Sequence, residues 1–151
     1  MGIVSLTFDL NGGNIDGVTT DVSVSGDTND DEILDLAPTP VRSGYTLTGW
    51  AYDESGIFPV EDGDRFTAAD TFYAQWTIVT YTVTYTLNDG TNDVANPATF
   101  DVTDLPITLE DATRDLYTFN GWYDNAEFTG DAVTTISTVG NKALFAKFTI
   151  I

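Results

Sequence analysis

Apolar and polar residues alternate along four segments of the 151-residue chain. In residues 4–10 and 81–87 the apolar side chains fall on every second position, and mostly threonine or serine lies between them. Residues 72–76 and 144–148 also carry apolar residues on every second position. Because successive side chains of a β-strand point to opposite faces of the sheet, this pattern predicts strands that bury one face. Threonine suits the solvent-facing positions because it is β-branched.

Three sequence blocks occur twice in the same order, which identifies an internal repeat. They are residues 4–13 with 81–90, 44–50 with 116–122, and 71–78 with 143–150. The offset falls from 77 residues in the first block to 72 in the other two, so the first copy carries a five-residue insertion between Gly13 and Gly44. We therefore predict two modules of one kind, residues 1–78 and residues 79–151, with almost no linker between them.

Turn-forming residue pairs follow the first predicted strand of each copy. They are Asn11-Gly12 and Asp89-Gly90. Such pairs supply the positive φ angles of tight hairpin turns, so a hairpin is expected at each place. The returning strands are then expected at residues 18–24 and 98–102.

One short helical turn is predicted, in the first copy only. Residues 32–36 would form it, with Asp30 or Asp31 as the N-cap and Pro38 after its end. The corresponding segment of the second copy, residues 104–109, contains a proline within the run, so a turn or a short extended piece is expected there. The chain as a whole is expected to be mainly β, α+β at most, with little or no helix.

The composition excludes several classes of function. The chain has 24 acidic and 5 basic residues, no histidine and no cysteine, and a net charge of −19. Without histidine or cysteine it cannot use Ser-His-Asp or Cys-His catalysis, a disulfide framework or a zinc-thiolate site. Its negative charge disfavours binding to phosphate backbones and anionic lipid heads, so we expect no nucleic-acid partner. No apolar run approaches the ~18 residues that a transmembrane helix needs, so we expect no membrane insertion of this fragment.

Several motifs resemble the Listeria–Bacteroides repeat, the module of internalin B-repeat regions and related bacterial surface proteins. The first copy carries Pro-x-Arg-x-Gly-Tyr-Thr-Leu-Thr-Gly-Trp at residues 40–50 and Phe-Tyr-Ala-Gln-Trp at residues 72–76. The second copy carries the related segments 114–123, 130–136 and 144–148. The chain departs from the usual pattern at three positions, which are Ala51 in place of an aromatic residue, Leu116 in place of glycine and Phe148 in place of tryptophan.

This resemblance implies two tandem β-grasp-like (ubiquitin-like) modules without enzymatic activity. It also implies an extracellular location, as a fragment of a longer exported protein of the bacterial cell surface. We expect a structural spacer or stalk that contributes to adhesion, with neighbouring repeats of the same parent chain as its partners. The alternative is a ligand-binding adhesive module that recognises a host or matrix protein or a glycan.

Aromatic residues near the Gly-Trp motifs are the candidate binding residues. Trp50 and Tyr52 in the first copy, and Trp122 and Tyr123 in the second, could stack against a sugar ring. The competing interpretation places the aromatic residues in the cores, because a module of about 70 residues depends on burying large aromatic side chains. The glycine before each tryptophan favours that interpretation, since it indicates either a β-bulge or a close backbone approach that turns the indole inward.

Charged residues offer two further candidates. Asp27, Asp30 and Asp31 belong to the densest acidic run, and clustered carboxylates could bind Ca²⁺. The spacing differs from that of an EF-hand, and a solvated loop is the alternative. Arg42 and Arg114 occupy equivalent positions, where each is expected to tie a loop to nearby carboxylates or backbone carbonyls, with ligand binding as the alternative. No other cofactor is expected.

Overall fold

The computed structural model of the protein describes residues 2–151 and consists mostly of β-strands. Contacts divide the chain into two compact units, Met1–Ile78 and Val79–Ile151. The first contains β1 (Ile3–Asp9), β2 (Val22–Asp27), α1 (Ile33–Leu36), β3 (Tyr45–Ala51) and β4 (Thr71–Ile78). The second contains β5 (Tyr81–Thr86), β6 (Thr99–Phe100), a 3-10 helix (Val102–Asp104), β7 (Ile107–Thr108), β8 (Tyr117–Tyr123), β9 (Thr135–Ile136) and β10 (Lys142–Ile150).

The first unit is built on a mixed four-stranded sheet with the order β2-β1-β4-β3. The central pair, β1 and β4, is parallel with Phe8 opposite Phe72, and the two outer pairs are antiparallel. Phe8 and Phe72 are fully buried, and Leu6, Ile33 and Trp50 join them in the core. The alternating pattern of β1 therefore puts its large apolar side chains on one side of the sheet, against α1 and the connecting loops.

The second unit has the same arrangement, with the order β6-β5-β10-β8. β5 and β10 form the parallel central pair, and β7 pairs with β9 in a separate two-stranded sheet. Its core contains Val83, Trp122, Ile136 and Leu144. These two mixed sheets confirm the mainly β class with very little helix. The β-grasp assignment stays a prediction.

The β-bulges expected before the tryptophans are present. The pairing of β3 with β4 shifts register between Leu47 and Gly49, and Gly49 has a φ of 153°. The pairing of β8 with β10 shifts between Lys147 and Phe148, opposite Gly121, whose φ is 122°. Side-chain-bearing residues rarely adopt these φ angles, so glycine is required where each strand re-aims the following tryptophan into the core.

The predicted returning strands were wrong in their bounds. β2 begins at Val22 instead of residue 18, because Ile15 and Val18 exchange backbone hydrogen bonds in a local turn. β6 ends at Phe100 because Asp101 caps the 3-10 helix, where its carboxylate accepts from the Thr103 amide at 2.7 Å. Each connection after the first strand is consequently much longer than a tight hairpin.

The turn and cap residues also differ from the prediction. In the second unit the positive φ angles belong to Asn88 and Asp89, not to the pair Asp89-Gly90. Neither Asp30 nor Asp31 caps α1. Glu32 is the N-cap residue and makes no side-chain cap hydrogen bond. The Asp31 carboxylate instead accepts from the amide of Asp27 at 2.7 Å, which closes the turn after β2.

Candidate functional site

The two candidate tryptophans lie inside the cores. Trp50 is 4% exposed and Trp122 is 2% exposed. The Trp50 ring meets Phe8 edge-on, with 5.0 Å between ring centroids, and the Trp122 ring meets Tyr85 at 5.2 Å. The Trp122 Nε1 group donates to the Glu110 carbonyl at 2.9 Å. With their ring faces covered by core side chains, these indoles stabilise the units and offer no stacking surface to a sugar.

Tyr52 lies at the surface of the first unit, directly after β3, and is 39% exposed. Its ring contacts Phe72 edge-on at 5.4 Å, and its hydroxyl donates to the Asp64 carboxylate at 3.2 Å. Partial burial, followed by this hydrogen bond, raises the pKa of the Tyr52 phenol above its usual value. Tyr52 therefore presents part of a fixed, neutral aromatic ring to solvent.

Tyr123 is half-buried at the end of β8. It lies on the opposite face of the strand from Trp122, because side chains alternate along a strand. Its ring contacts Phe128 at 5.7 Å, and the Lys147 ammonium lies 5.2 Å from its centroid. In the second unit the tryptophan and the nearby tyrosine thus lie on opposite faces of the strand, whereas in the first unit Trp50 is buried and Tyr52 reaches the surface. A binding role stays a prediction for Tyr52 and Tyr123 alone.

Two carboxylates of the predicted calcium cluster accept hydrogen bonds from within their own loop. Asp27 Oδ1 accepts from the amide and the side-chain nitrogen of Asn29, both at 3.0 Å, and these bonds lower the pKa of Asp27. Asp31 accepts from the Asp27 amide, and Asp30 is exposed. Throughout residues 2–151, no group of three or more acidic side chains is arranged to hold a metal ion. Calcium binding at this loop stays a prediction.

Arg42 and Arg114 occupy equivalent places in the two units. Each guanidinium stacks on the tyrosine three residues later, 4.0 Å from the Tyr45 centroid and 3.8 Å from that of Tyr117. Arg42 donates to the Asn11 carbonyl at 3.2 Å, and Arg114 donates to the Asp89 carboxylate at 3.4 Å. Both arginines therefore tie the loop before their strand to the turn after the first strand, which confirms the predicted structural role.

A loop that the sequence did not single out presents two large apolar side chains to solvent. Ile57 is 71% exposed and Phe58 is 64% exposed. The Asp53 carboxylate accepts from the amides of Ile57 at 3.2 Å and Phe58 at 2.7 Å, and from the Ser55 hydroxyl. The turn-forming composition of residues 53–56 signals a loop. Exposure of the following apolar pair has no sequence signal, since such residues more often lie in a core.

The second unit contains a surface pocket of about 320 Å³ that the sequence also did not reveal. Three half-buried rings line it, those of Phe128, Phe145 and Phe148, together with Arg114. A comparison of the two repeat copies does indicate that this surface differs between them. Phe128 corresponds to Gly56 in the first copy at the offset of 72, so the two units differ in side-chain size at this point.

The profile of the Listeria-Bacteroides repeat domain matches residues 5–75 and again residues 81–147. Together the two matches account for nearly the whole chain. The chain belongs to the Listeria-Bacteroides repeat domain family. The tandem match agrees with the two repeats and with the two four-stranded sheets of the structure.

Two relatives illustrate where such repeats occur. The chain is 34% identical over 141 residues to internalin H of Listeria monocytogenes, a match that covers 90% of this chain and 24% of that protein. It is 36% identical over 120 residues to a putative Gly-rich membrane protein of Evansella cellulosilytica, covering 74% of this chain and 13% of that protein. The chain thus spans a quarter or less of the relatives it matches. No solved structure matches it, and no helix among residues 2–151 is long and apolar enough to cross a membrane.

Proposed function

We propose that the chain is a structural spacer in a bacterial cell-surface protein and holds a distal domain away from the cell. The observation that carries the proposal is the direct succession of two similar units. Strand β4 ends at Ile78 and β5 begins at Tyr81, while each unit has a sheet and a core of its own. In such arrays the stability is approximately a sum over repeats, and length is gained by adding repeats. No catalytic step is part of this function.

The distribution of charge supports a spacer. Residues 1–78 carry a net charge of −12 and residues 79–151 carry −7, so the excess of carboxylates extends over both units. Like-charged modules repel one another, which favours an extended array and opposes aggregation through sheet edges. The internalin similarity supports an extracellular location for this spacer.

Surface display tests the proposal. A peptide tag is anchored to a bacterial cell wall through zero, one or two copies of this chain, and a bulky antibody probes the tag. The spacer function predicts that antibody access rises with each added copy. A matched control uses a flexible glycine-serine linker of equal residue number, for which access should rise more slowly with each added copy because the end-to-end distance of a random coil grows only as the square root of its length. Equal antibody access for zero, one and two copies of the chain contradicts the proposal.

A second function, adhesion, draws its support from Tyr52. Its exposed ring is held in place by Phe72 and by the hydroxyl bond to Asp64, and an immobilised aromatic surface of this kind suits a sugar ring or a protein side chain. Titration of the chain against glycans and matrix proteins measures it. Saturable binding that is lost in Tyr52→Ala supports adhesion, and the absence of saturable binding leaves the spacer role alone.

A further inference from the structure

The loop of residues 53–58 is a preorganised apolar contact surface. Two backbone hydrogen bonds of 2.8 Å fix its base. The Tyr52 amide donates to the Phe58 carbonyl, and the Val60 amide donates to the Trp50 carbonyl. The bonds from Ser55 and from the amides of Phe58 and Ile57 lower the pKa of Asp53, so the carboxylate that organises the loop stays ionised. Ile57 and Phe58 thus project from a loop with little freedom left to lose on binding.

The pocket of the second unit, here called the phenylalanine pocket, has matching chemistry. Its volume of about 320 Å³ lies at the lower end of the range for ligand pockets, and Phe128, Phe145 and Phe148 supply an aromatic lining. Two of the three cations of residues 79–151 lie beside it. Arg114 lines the pocket, and the Lys147 ammonium is 5.8 Å from the Phe128 ring.

The two cations beside the pocket favour a segment that carries a carboxylate next to its apolar side chains. The 53–58 loop carries the exposed carboxylate of Glu54 next to its apolar tip. An acidic loop is attracted by the cations at the pocket, which a basic loop would not be. Asp89, which pairs with Arg114, is exposed, so it can turn toward solvent when another carboxylate approaches.

We propose that the 53–58 loop of one copy of the chain inserts Ile57 and Phe58 into the phenylalanine pocket of a second copy. The two surfaces are different, so each copy of the chain offers one loop and one pocket to its neighbours. Neighbouring spacers would associate through this contact. The net charge of −19 opposes association, so the contact forms only where salt screens the long-range repulsion.

Paired variants of the full chain test the proposal by sedimentation equilibrium at about 0.15 M salt or above. Ile57→Ser/Phe58→Ser removes the loop tip, and Ala126→Trp fills the pocket from an exposed lining residue. Each variant alone is expected to associate at least about tenfold more weakly than the parent chain, because a buried aromatic contact is lost. Mixed in equal amounts, they combine one intact loop with one intact pocket and form a 1:1 complex that does not grow.

The matched control is Val94→Ser, which removes a fully exposed apolar side chain from a loop outside both surfaces. It is expected to associate like the parent. Circular dichroism shows that every variant is folded before the comparison. The proposal is overturned if the parent chain stays monomeric up to about 1 mM, if either variant associates as strongly as the parent, or if the mixture forms no 1:1 complex.

Discussion

Replacing Trp122 with alanine should destabilise the second unit and leave the first unit unchanged. The Trp122 side chain is almost completely buried, packs against Tyr85 and Phe119 with centroids 5.2 and 5.4 Å away, and donates to the Glu110 carbonyl. Truncating a buried tryptophan to alanine costs about 3 to 5 kcal/mol. A unit of this length has a total stability of about 4 to 11 kcal/mol, so the loss is a large fraction of it.

The distribution of tryptophans makes the assay selective. Trp122 is the only tryptophan of residues 79–151, and Trp50 and Trp76 belong to the first unit. In Trp122→Ala all tryptophan fluorescence therefore reports on the first unit, while far-ultraviolet circular dichroism reports on both. With increasing urea, the dichroism should show an early transition, shifted down by about 2 M or more, and the fluorescence midpoint should stay at its parent value.

A fluorescence midpoint that falls together with the dichroism would refute this reasoning, because it would show that the two units unfold as one. Trp50→Ala is the matched variant in the other unit. It is combined with Trp76→Phe, which copies Phe148 of the second unit and leaves Trp122 as the remaining tryptophan. The pair should destabilise the first unit by at least a similar amount and leave the midpoint of the Trp122 fluorescence unchanged.

Three further predictions follow from single residues. Leu116→Gly should raise the Tm of the second unit by a few degrees, because Leu116 is exposed and has a φ of 64°. Glycine relieves about 1–2 kcal/mol of backbone strain at such an angle, which outweighs the conformational entropy that glycine loses on folding. Gly44→Leu, at the equivalent position with a φ of 79°, should lower the Tm of the first. Asn96→Ala should lower the free energy of unfolding, measured in urea, by about 2–3 kcal/mol. The buried Asn96 side chain donates to the Glu110 carbonyl and accepts from the Glu110 amide, each at 2.8 Å. Burial raises the pKa of Tyr85 to about 12 from 10.0, so its contribution to stability is complete below pH 10 and is lost as the pH rises toward 12. Tyr85→Phe should reduce that alkaline loss in thermal unfolding.

The sequence pattern predicted the elements that depend on periodicity. The alternation in residues 4–10 and 81–87 corresponds to β1 and β5, and the Gly-Trp motifs correspond to the bulges of β3 and β8. These features follow from local rules, since one buried face requires alternating apolar residues and a re-aimed tryptophan requires a permissive residue before it. The internal repeat also predicted two units of one kind.

Features that depend on the surroundings of a residue were not predictable in the same way. β2 starts four residues later than expected because Asp16 and Gly17 adopt positive φ angles, which turn the chain before it can pair with β1. The exposure of Phe58 and the buried position of Trp50 could not be separated by residue type, because both are large and aromatic. Phe58 belongs to the hydrogen-bonded loop around Asp53, and the pairing of β3 with β4 ends at Ala51, before that loop begins.

Small-angle X-ray scattering on increasing numbers of tandem copies of the chain tests the central claim most directly. The spacer function predicts that the maximum dimension rises linearly with copy number, by the same increment for each copy, at salt concentrations that screen the repulsion between modules. A maximum dimension that grows only as the cube root of the mass, as for copies collapsed into one globule, contradicts a spacer.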